Sequence, residues 1–220
     1  MTQNFDLVVH RQNTNSVKWD YAKQQFGQQD ILPMWVADMD FPSPPAVIAA
    51  IQARAAHPIY GYTIRPHSYY QAFINWLETR HGLQDSVDWL CDAPGVVPAI
   101  AICISAFTEL GDQVLVQTPV YHPFFSVVRN AGRELVLSPL LEVDGRYTMD
   151  FADLEAKFAA GVKAMVLCSP HNPVGRVWNS DELTQLVDLC IKYNVLVISD
   201  EIWCDLVYPG SKHRSLTEFA

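Results

Sequence analysis

The chain has 220 residues, half of them hydrophobic, which is long and apolar enough to bury a sizeable core and excludes a disordered chain. Its formal net charge of −9 gives no electrostatic basis for binding nucleic acid or an anionic membrane surface. The first residues lack the apolar core of a signal peptide, and no stretch approaches the roughly 18 apolar residues of a membrane span. We therefore expect a soluble, cytoplasmic protein.

The cysteines and histidines show no metal-binding pattern. The five cysteines form no C-x-x-C pair, and the seven histidines show no spacing such as H-E-x-x-H. The sequence therefore predicts reduced, packed thiols and no metal site.

The N-terminal segment differs from the rest of the chain. Residues 1–45 contain tryptophans and prolines in an irregular pattern, so we interpret them as an arm or part of a small domain, and residues 46–220 as a large domain. Two amphipathic helices are predicted next, over 46–56 after Pro44 and Pro45, and over 66–80 before Gly82.

Strands and helices then alternate along the chain. The apolar runs predict strands at 87–91, 113–117, 134–137, 163–168 and 195–199. Helical periodicity predicts helices over 99–110, over 150–160 with Asp150 as its cap, and after the cap sequence 179–182. Because the strands are continuous runs of valine, isoleucine and leucine separated by helices, they indicate a parallel sheet covered on both faces.

The carboxyl ends of such strands meet at one edge of the sheet, where ligands bind. The loops at 94–95, 118–122, 169–175 and 200–203 should therefore converge. Gly95 permits a turn before a helix whose first amides could hold a phosphate, Tyr121 could stack on an aromatic ring, and Asn172 lies between two prolines. Each of these residues alone also fits a structural role, whereas a carboxylate at a buried strand end, Asp200, requires a charged or hydrogen-bonded partner.

Two sequence patterns carry a family resemblance. The run 169–175, Ser-Pro-His-Asn-Pro-Val-Gly, followed by 198–202, Ile-Ser-Asp-Glu-Ile, resembles the class I/II aminotransferase family of fold-type I pyridoxal-phosphate (PLP) enzymes. The segments 35–41 and 60–62 resemble its cystathionine β-lyase-like (C–S lyase) branch. The resemblance implies an α/β three-layer sandwich with a mostly parallel sheet, the PLP-binding large domain of this fold type, here incomplete at its C-terminus.

The resemblance also implies roles for single residues. Asp200 would pair with the pyridinium nitrogen, Asn172 would hydrogen-bond the phenolic oxygen, and Tyr121 would stack on the ring. The amides around Val96 and Val97 would bind the phosphate.

Other implied roles involve the second subunit and the substrate. Tyr60 would reach the cofactor phosphate of a neighbouring subunit, which implies a homodimer, and Trp35 and Asp38 would line the substrate entrance. Trp203 stands where the family usually has a tyrosine or histidine that addresses the phenolic oxygen, and its indole N–H can only donate.

The lysine that forms the Schiff base is expected beyond Ala220, because the family places it about thirty residues after the aspartate. The six lysines of the chain do not match that context: Lys18, Lys23, Lys157, Lys163, Lys192 and Lys212. We therefore expect the N-terminal part of a C–S β-lyase that acts by α,β-elimination, without full activity of its own. The alternatives are a PLP-dependent aminotransferase, and a non-catalytic remnant or one half of a split enzyme.

Overall fold

A computed structural model describes residues 4–28 and 30–219. Residues 1–3 of the predicted arm, Gln29 and Ala220 lie outside the described residues. Contacts divide the chain into two compact units, Met1–Ile64 and Arg65–Ala220. This division falls later than residue 45, and the assignment of 46–220 as one large domain stays a prediction.

The described residues of the first unit form the helices α1 (Val17–Asp20), α2 (Ala22–Phe26) and α3 (Pro45–Ala56). The expectation of a wholly irregular arm is therefore wrong for the first two. The carboxylate of Asp20 accepts hydrogen bonds from the backbone N–H groups of Asn13, Thr14 and Ser16 at 2.8–3.1 Å. These bonds fold the preceding loop back onto α1. Helix α3 begins at the proline pair as predicted.

The second unit contains the sheet. Its helices are α4 (His67–His81), α5 (Val96–Phe107), α6 (Pro123–Asn130), α7 (Phe151–Ala159) and α8 (Ser180–Tyr193), with 3₁₀ turns at Val87–Trp89 and Leu216–Glu218. Its strands are β1 (Gln113–Thr118), β2 (Glu134–Pro139), β3 (Leu141–Val143), β4 (Arg146–Thr148), β5 (Ala164–Cys168) and β6 (Leu196–Asp200). Among the described residues, every helix is too short or too polar to span a bilayer.

Four parallel strands form the main sheet in the order β2-β1-β5-β6. Alternate side chains of β1 and β5 enter two separate cores, because successive residues of a strand point to opposite faces. Leu115, Met165 and Leu167 pack against α7 and α8, whereas Val116 and Val166 pack against α5 and α6. The predicted three-layer α/β architecture with a parallel sheet is confirmed.

Polar side chains cap two helices as the sequence predicted. Asp150 accepts from the N–H of Asp153 at 3.0 Å at the start of α7. Asn179 and Glu182 form a reciprocal capping box at the start of α8, with both hydrogen bonds at 2.9 Å. These bonds satisfy helix amides that would otherwise lack a partner.

One local prediction is wrong, and one pair of strands was not predicted. The run 87–91 is not a strand but a 3₁₀ turn over Val87–Trp89, in which Ser86 Oγ accepts from the N–H of Asp88 at 3.3 Å. The antiparallel pair β3–β4 was not predicted. Its turn residues Asp144 and Gly145 have φ of 53° and 75°, and this Asp-Gly pair is a hairpin signal that could have revealed it.

Candidate functional site

Three of the predicted loops meet at the carboxyl edge of the sheet. Cys168, at the end of β5, pairs with Asp200, at the end of β6, and the N–H of Ser169 donates to the carbonyl of Asp200 at 2.9 Å. His171 Nε2 lies 2.8 Å from the carbonyl oxygen of Pro119, in the loop after β1, and donates to it. The loops after β1, β5 and β6 are therefore held together by direct contacts.

The N-terminus of α5 reaches the same edge. Only residues 108–112 connect the end of α5 to the start of β1, so α5 runs antiparallel to the strands. Its 12 residues span about 18 Å, close to the roughly 20 Å of a six-residue strand. Val96 and Val97 pack against the core that contains Cys168, and Ile198 of β6 packs against the same core. Asp200 is the strand partner of Cys168, so its side chain lies on the same face of the sheet.

Asp200 is buried, with 7% of its surface exposed. Within the described chain its carboxylate receives one hydrogen bond, from the backbone N–H of Ile202 at 3.1 Å. Burial raises the pKa of Asp200, since this single donor only partly offsets the loss of solvation. A cationic donor placed at the edge of the sheet would supply the partner that this carboxylate lacks.

The turn at Gly95 presents backbone amides near this carboxylate. Gly95 is the N-cap of α5 and has no side chain to accept a hydrogen bond from the first turn. The first backbone bond of the helix runs from the N–H of Ala99 to the carbonyl of Gly95 at 3.0 Å, and Pro98 has no N–H. The amides of Val96 and Val97 are therefore available to an anion at the positive end of the helix dipole.

Tyr121 and Asn172 also lie at this edge. The half-exposed ring of Tyr121 contacts the ring of Phe124 edge-on, with centroids 5.9 Å apart, and Phe124 is buried in the core shared by α5 and α6. Asn172 uses its backbone N–H to contact Cys168 Sγ at 3.3 Å, and its side-chain amide has no hydrogen bond within the described chain. The half-buried Trp203 lies in the turn that follows Asp200.

A buried arginine that sequence reasoning missed supports the loop carrying Asn172. Arg176 donates to both carboxylate oxygens of Glu182 at 2.6 and 2.7 Å and to the carbonyl of Tyr147 at 2.9 Å. Its guanidinium lies 4.8 Å from the ring centre of Trp178, whose indole N–H donates to the carbonyl of Cys168 at 2.9 Å. No sequence spacing links Arg176 to Tyr147, so only the fold reveals this support.

The other predicted site residues, Trp35, Asp38 and Tyr60, lie in the first unit. The indole N–H of Trp35 donates to the carbonyl of Lys18 at 3.2 Å, and Asp38 forms an ion pair with Arg11. Tyr60 is 68% exposed and donates its hydroxyl to the carbonyl of Ala55 at 2.7 Å. Their roles toward substrate and partner subunit stay predictions.

The lysines of the second unit pair with carboxylates, lie at the opposite edge of the sheet from Asp200 or are exposed. Lys157 pairs with Asp153, and Lys192 pairs with Glu155. Lys163 precedes β5, at the opposite edge of the sheet from Asp200. Lys212 is exposed.

Comparison with known proteins agrees with the motifs. The family model "Aminotransferase class I and II" matches residues 29–219. Cystathionine beta-lyase PatB of Bacillus subtilis is 46% identical over 211 residues, which are 96% of this chain and 54% of that protein. The chain thus spans about half the length of this curated relative.

Solved structures give the same result. The crystal structure of cystalysin from Treponema denticola, which contains pyridoxal 5'-phosphate, matches with a TM-score of 0.94 and 38% identity over all of this chain and 57% of that one. The PLP-bound C–S lyase from Staphylococcus hominis matches with a TM-score of 0.92 and 33% identity, over all of this chain and 56% of that one. The resemblance to the aminotransferase family and to its cystathionine β-lyase-like branch is confirmed.

Proposed function

Because the chain belongs to the class I and II aminotransferase family, we propose that it forms the PLP-binding part of a C–S β-lyase. Its substrate class is cystathionine or another cysteine conjugate, cleaved by α,β-elimination to a thiol, pyruvate and ammonia. The relatives named as cystathionine β-lyase and C–S lyase support this reading, since they match nearly the whole chain. The proposal keeps residues 46–220 as the PLP-binding domain.

The buried carboxylate of Asp200 is the observation that carries the proposal. PLP supplies an electron-poor ring that takes up the electron pair of a bond broken at the substrate's α-carbon. Asp200 would hold a protonated ring nitrogen in place by a charge-assisted hydrogen bond, which would keep the ring electron-poor. The ring nitrogen would then be the hydrogen-bond partner that the Asp200 carboxylate lacks within the described chain.

The remaining residues at the edge bind and orient the cofactor. The N–H groups of Val96 and Val97 donate to the phosphate, whose negative charge the dipole of α5 stabilises. The side-chain amide of Asn172 donates to the phenolic oxygen, and the indole N–H of Trp203 gives that oxygen a second donor. Tyr121 covers one face of the ring and excludes water from it.

We extend the proposal to the assembly. The exposed Tyr60 reaches the cofactor phosphate of a neighbouring subunit in a cytoplasmic homodimer. Trp35 and Asp38 border the path by which the amino-acid substrate enters. The lysine that binds the cofactor covalently stays a prediction, placed outside residues 1–220.

An aminotransferase is the second candidate, and the name of the matching family supports it. The two reactions differ in where the substrate's nitrogen goes. A lyase releases ammonia and pyruvate without a second substrate, whereas an aminotransferase needs a 2-oxo acid to accept the amino group. Pyruvate formed from cystathionine without an added 2-oxo acid distinguishes the lyase.

The affinity of the chain for pyridoxine 5'-phosphate tests the cofactor site. This analogue has the ring and phosphate of PLP but no aldehyde, so it cannot react with surface lysines. Calorimetry should show that Asp200→Asn weakens binding about 10- to 100-fold, the scale of one lost charge-assisted hydrogen bond. Asp188→Asn, on the exposed side of α8, changes the same charge away from the site and should bind like the parent chain.

Equal affinity of the parent chain and the Asp200→Asn variant would contradict the site. Binding that is lost equally in the Asp188→Asn control would show a general charge effect rather than a pocket.

A further inference from the structure

A second cluster of chemically reactive side chains lies outside the candidate cofactor site. His81 is the last residue of α4, while Cys204 and Asp205 lie in the turn after β6. Each side chain offers one ligand atom, and the three atoms lie within 4.8 Å of one another. Imidazole nitrogen, thiol sulfur and carboxylate oxygen are the three donor types that zinc binds in proteins.

Neighbouring groups hold the members of this cluster in place. The indole N–H of Trp76 donates to Asp205 Oδ2 at 2.9 Å, and His81 Nε2 lies 2.9 Å from Asp205 Oδ1. Trp76 and His81 both belong to α4, so two points of one helix fix the carboxylate. The Trp76 bond orients the carboxylate as an outer hydrogen bond does, and a bound ion would take the place of the contact between His81 Nε2 and Asp205 Oδ1.

A buried histidine packs its ring beside the cluster. His213 is 5% exposed, and its Nε2 lies 3.0 Å from the carboxylate of Glu201, to which it donates. Its Nδ1 is buried and has no hydrogen-bond partner within the described part of the chain. The rings of His213 and His81 lie with centroids 5.9 Å apart.

We propose that His81, Cys204 and Asp205 bind a zinc ion, with its fourth position open to water. Tetrahedral zinc with bonds of about 2.0–2.3 Å holds its ligand atoms about 3.4–3.6 Å apart, so side-chain rotations of about 1 Å close the site. The thiol releases its proton to solvent on binding. The thiolate and the carboxylate then balance the two positive charges of the ion. A thiol ligand disfavours magnesium and calcium, which prefer oxygen.

The zinc site joins two segments that are distant in sequence. It ties the C-terminal end of α4 to the turn that begins directly after Asp200. The spacing of histidines and cysteines predicted no metal site because His81 lies far from the other ligands along the chain. This proposal departs from that prediction and is independent of the proposed cofactor chemistry.

Zinc retention tests the proposal. The untagged 220-residue chain, incubated with excess zinc and passed through gel filtration, should retain one equivalent by elemental analysis. Substitution with cobalt should give a thiolate-to-cobalt charge-transfer band. Cys204→Ser should weaken zinc binding at least 10- to 100-fold and remove that band, since loss of an outer partner alone has this effect. The exposed Cys91 provides the matched control, and Cys91→Ser should bind as the parent chain does.

A second variant guards against misfolding. Trp76→Phe keeps every ligand but removes the donor to Asp205, and it should weaken zinc binding about tenfold. Zinc should also raise the Tm of the parent chain and of Cys91→Ser, because an ion that binds only the folded state stabilises it. Failure of the parent chain to retain zinc would overturn the proposal. So would unchanged affinity in both Cys204→Ser and Trp76→Phe, or an equal loss in Cys91→Ser.

Discussion

Charged groups near the carboxyl edge of the parallel sheet differ in their hydrogen-bond partners between its two faces. On the face covered by α7 and α8, Arg176 binds Glu182 and the carbonyl of Tyr147, although the buried side chain of Gln117 on that face has no partner within the described chain. On the face covered by α5 and α6, the same edge carries Asp200 with one backbone donor and a helix N-terminus with free amides.

This difference separates stability from binding. A polar group that the chain pairs with itself contributes to the folded state, and its loss leaves a buried partner unpaired. A polar group that the chain leaves under-paired lowers the stability of the ligand-free protein and is available to a ligand. Substitutions in the pair of Arg176 and Glu182 should therefore change the free energy of unfolding, and substitution of Asp200 should change affinity.

Arg176→Met should have the largest effect. The side chains of Arg176 and Glu182 are 10% and 13% exposed, and the substitution leaves the Glu182 carboxylate buried without its cation. Urea denaturation should show a loss of about 3–5 kcal/mol in the free energy of unfolding. Lys192→Met is the control, because it breaks the exposed pair with Glu155 and should cost less than about 1 kcal/mol. Similar losses in both variants would refute the distinction between buried and exposed pairs.

Asn179→Ala should have an intermediate effect on the same face. It removes the acceptor for the N–H of Glu182 in the capping box of α8, which should cost about 1 kcal/mol of unfolding free energy. Affinity for pyridoxine 5'-phosphate, measured on the folded variant, should stay unchanged. A weaker affinity would mean that the two faces are coupled through the loop that carries Asn172.

Asp200→Asn should have the smallest effect on stability, and its sign is opposite. The folded chain holds the Asp200 proton to higher pH than the unfolded chain, because burial raises the pKa from its ordinary 3.8. Between these two pKa values the folded state binds more protons, so its stability falls as pH rises through that window. Asparagine removes this loss, and the Tm of the ligand-free variant should exceed that of the parent chain at pH 7.

The comparison at low pH supplies the control for this variant. Below the ordinary pKa of aspartate, residue 200 is uncharged in both proteins, and the difference in Tm should shrink. A difference that is constant across the pH range would contradict ionisation of Asp200 as its cause.

The sequence predicts the sheet well because its signals are local. Continuous apolar runs identify β1, β5 and β6, and the cap residues Asp150 and Asn179 identify two helix starts. The sequence predicts the 87–91 strand wrongly because Ser86 forms a competing local hydrogen bond that apolar content does not reveal. The β3–β4 pair is not predicted from apolar runs, because its signal is the Asp144-Gly145 turn rather than apolar content.

The signals that predict the site residues differ from those that predict the strands and helices. Asp200 stands out by itself as a charge at the end of an apolar run, while Asn172 and Tyr121 gain meaning only from their place at the same edge. The contact of Arg176 with Tyr147 and the cluster around His81 escape sequence analysis because the residues involved lie far apart along the chain. The fold alone brings such groups together.

The protonation of the ligand's ring nitrogen tests the central claim most directly. Pyridoxine 5'-phosphate labelled with ¹⁵N in the ring, bound to the 220-residue chain, reports its protonation state through the nitrogen chemical shift. The account predicts a protonated nitrogen at neutral pH in the parent chain and an unprotonated one in Asp200→Asn. An unprotonated nitrogen in the saturated parent chain, or the same shift in both proteins, would contradict the assignment of Asp200 as its partner.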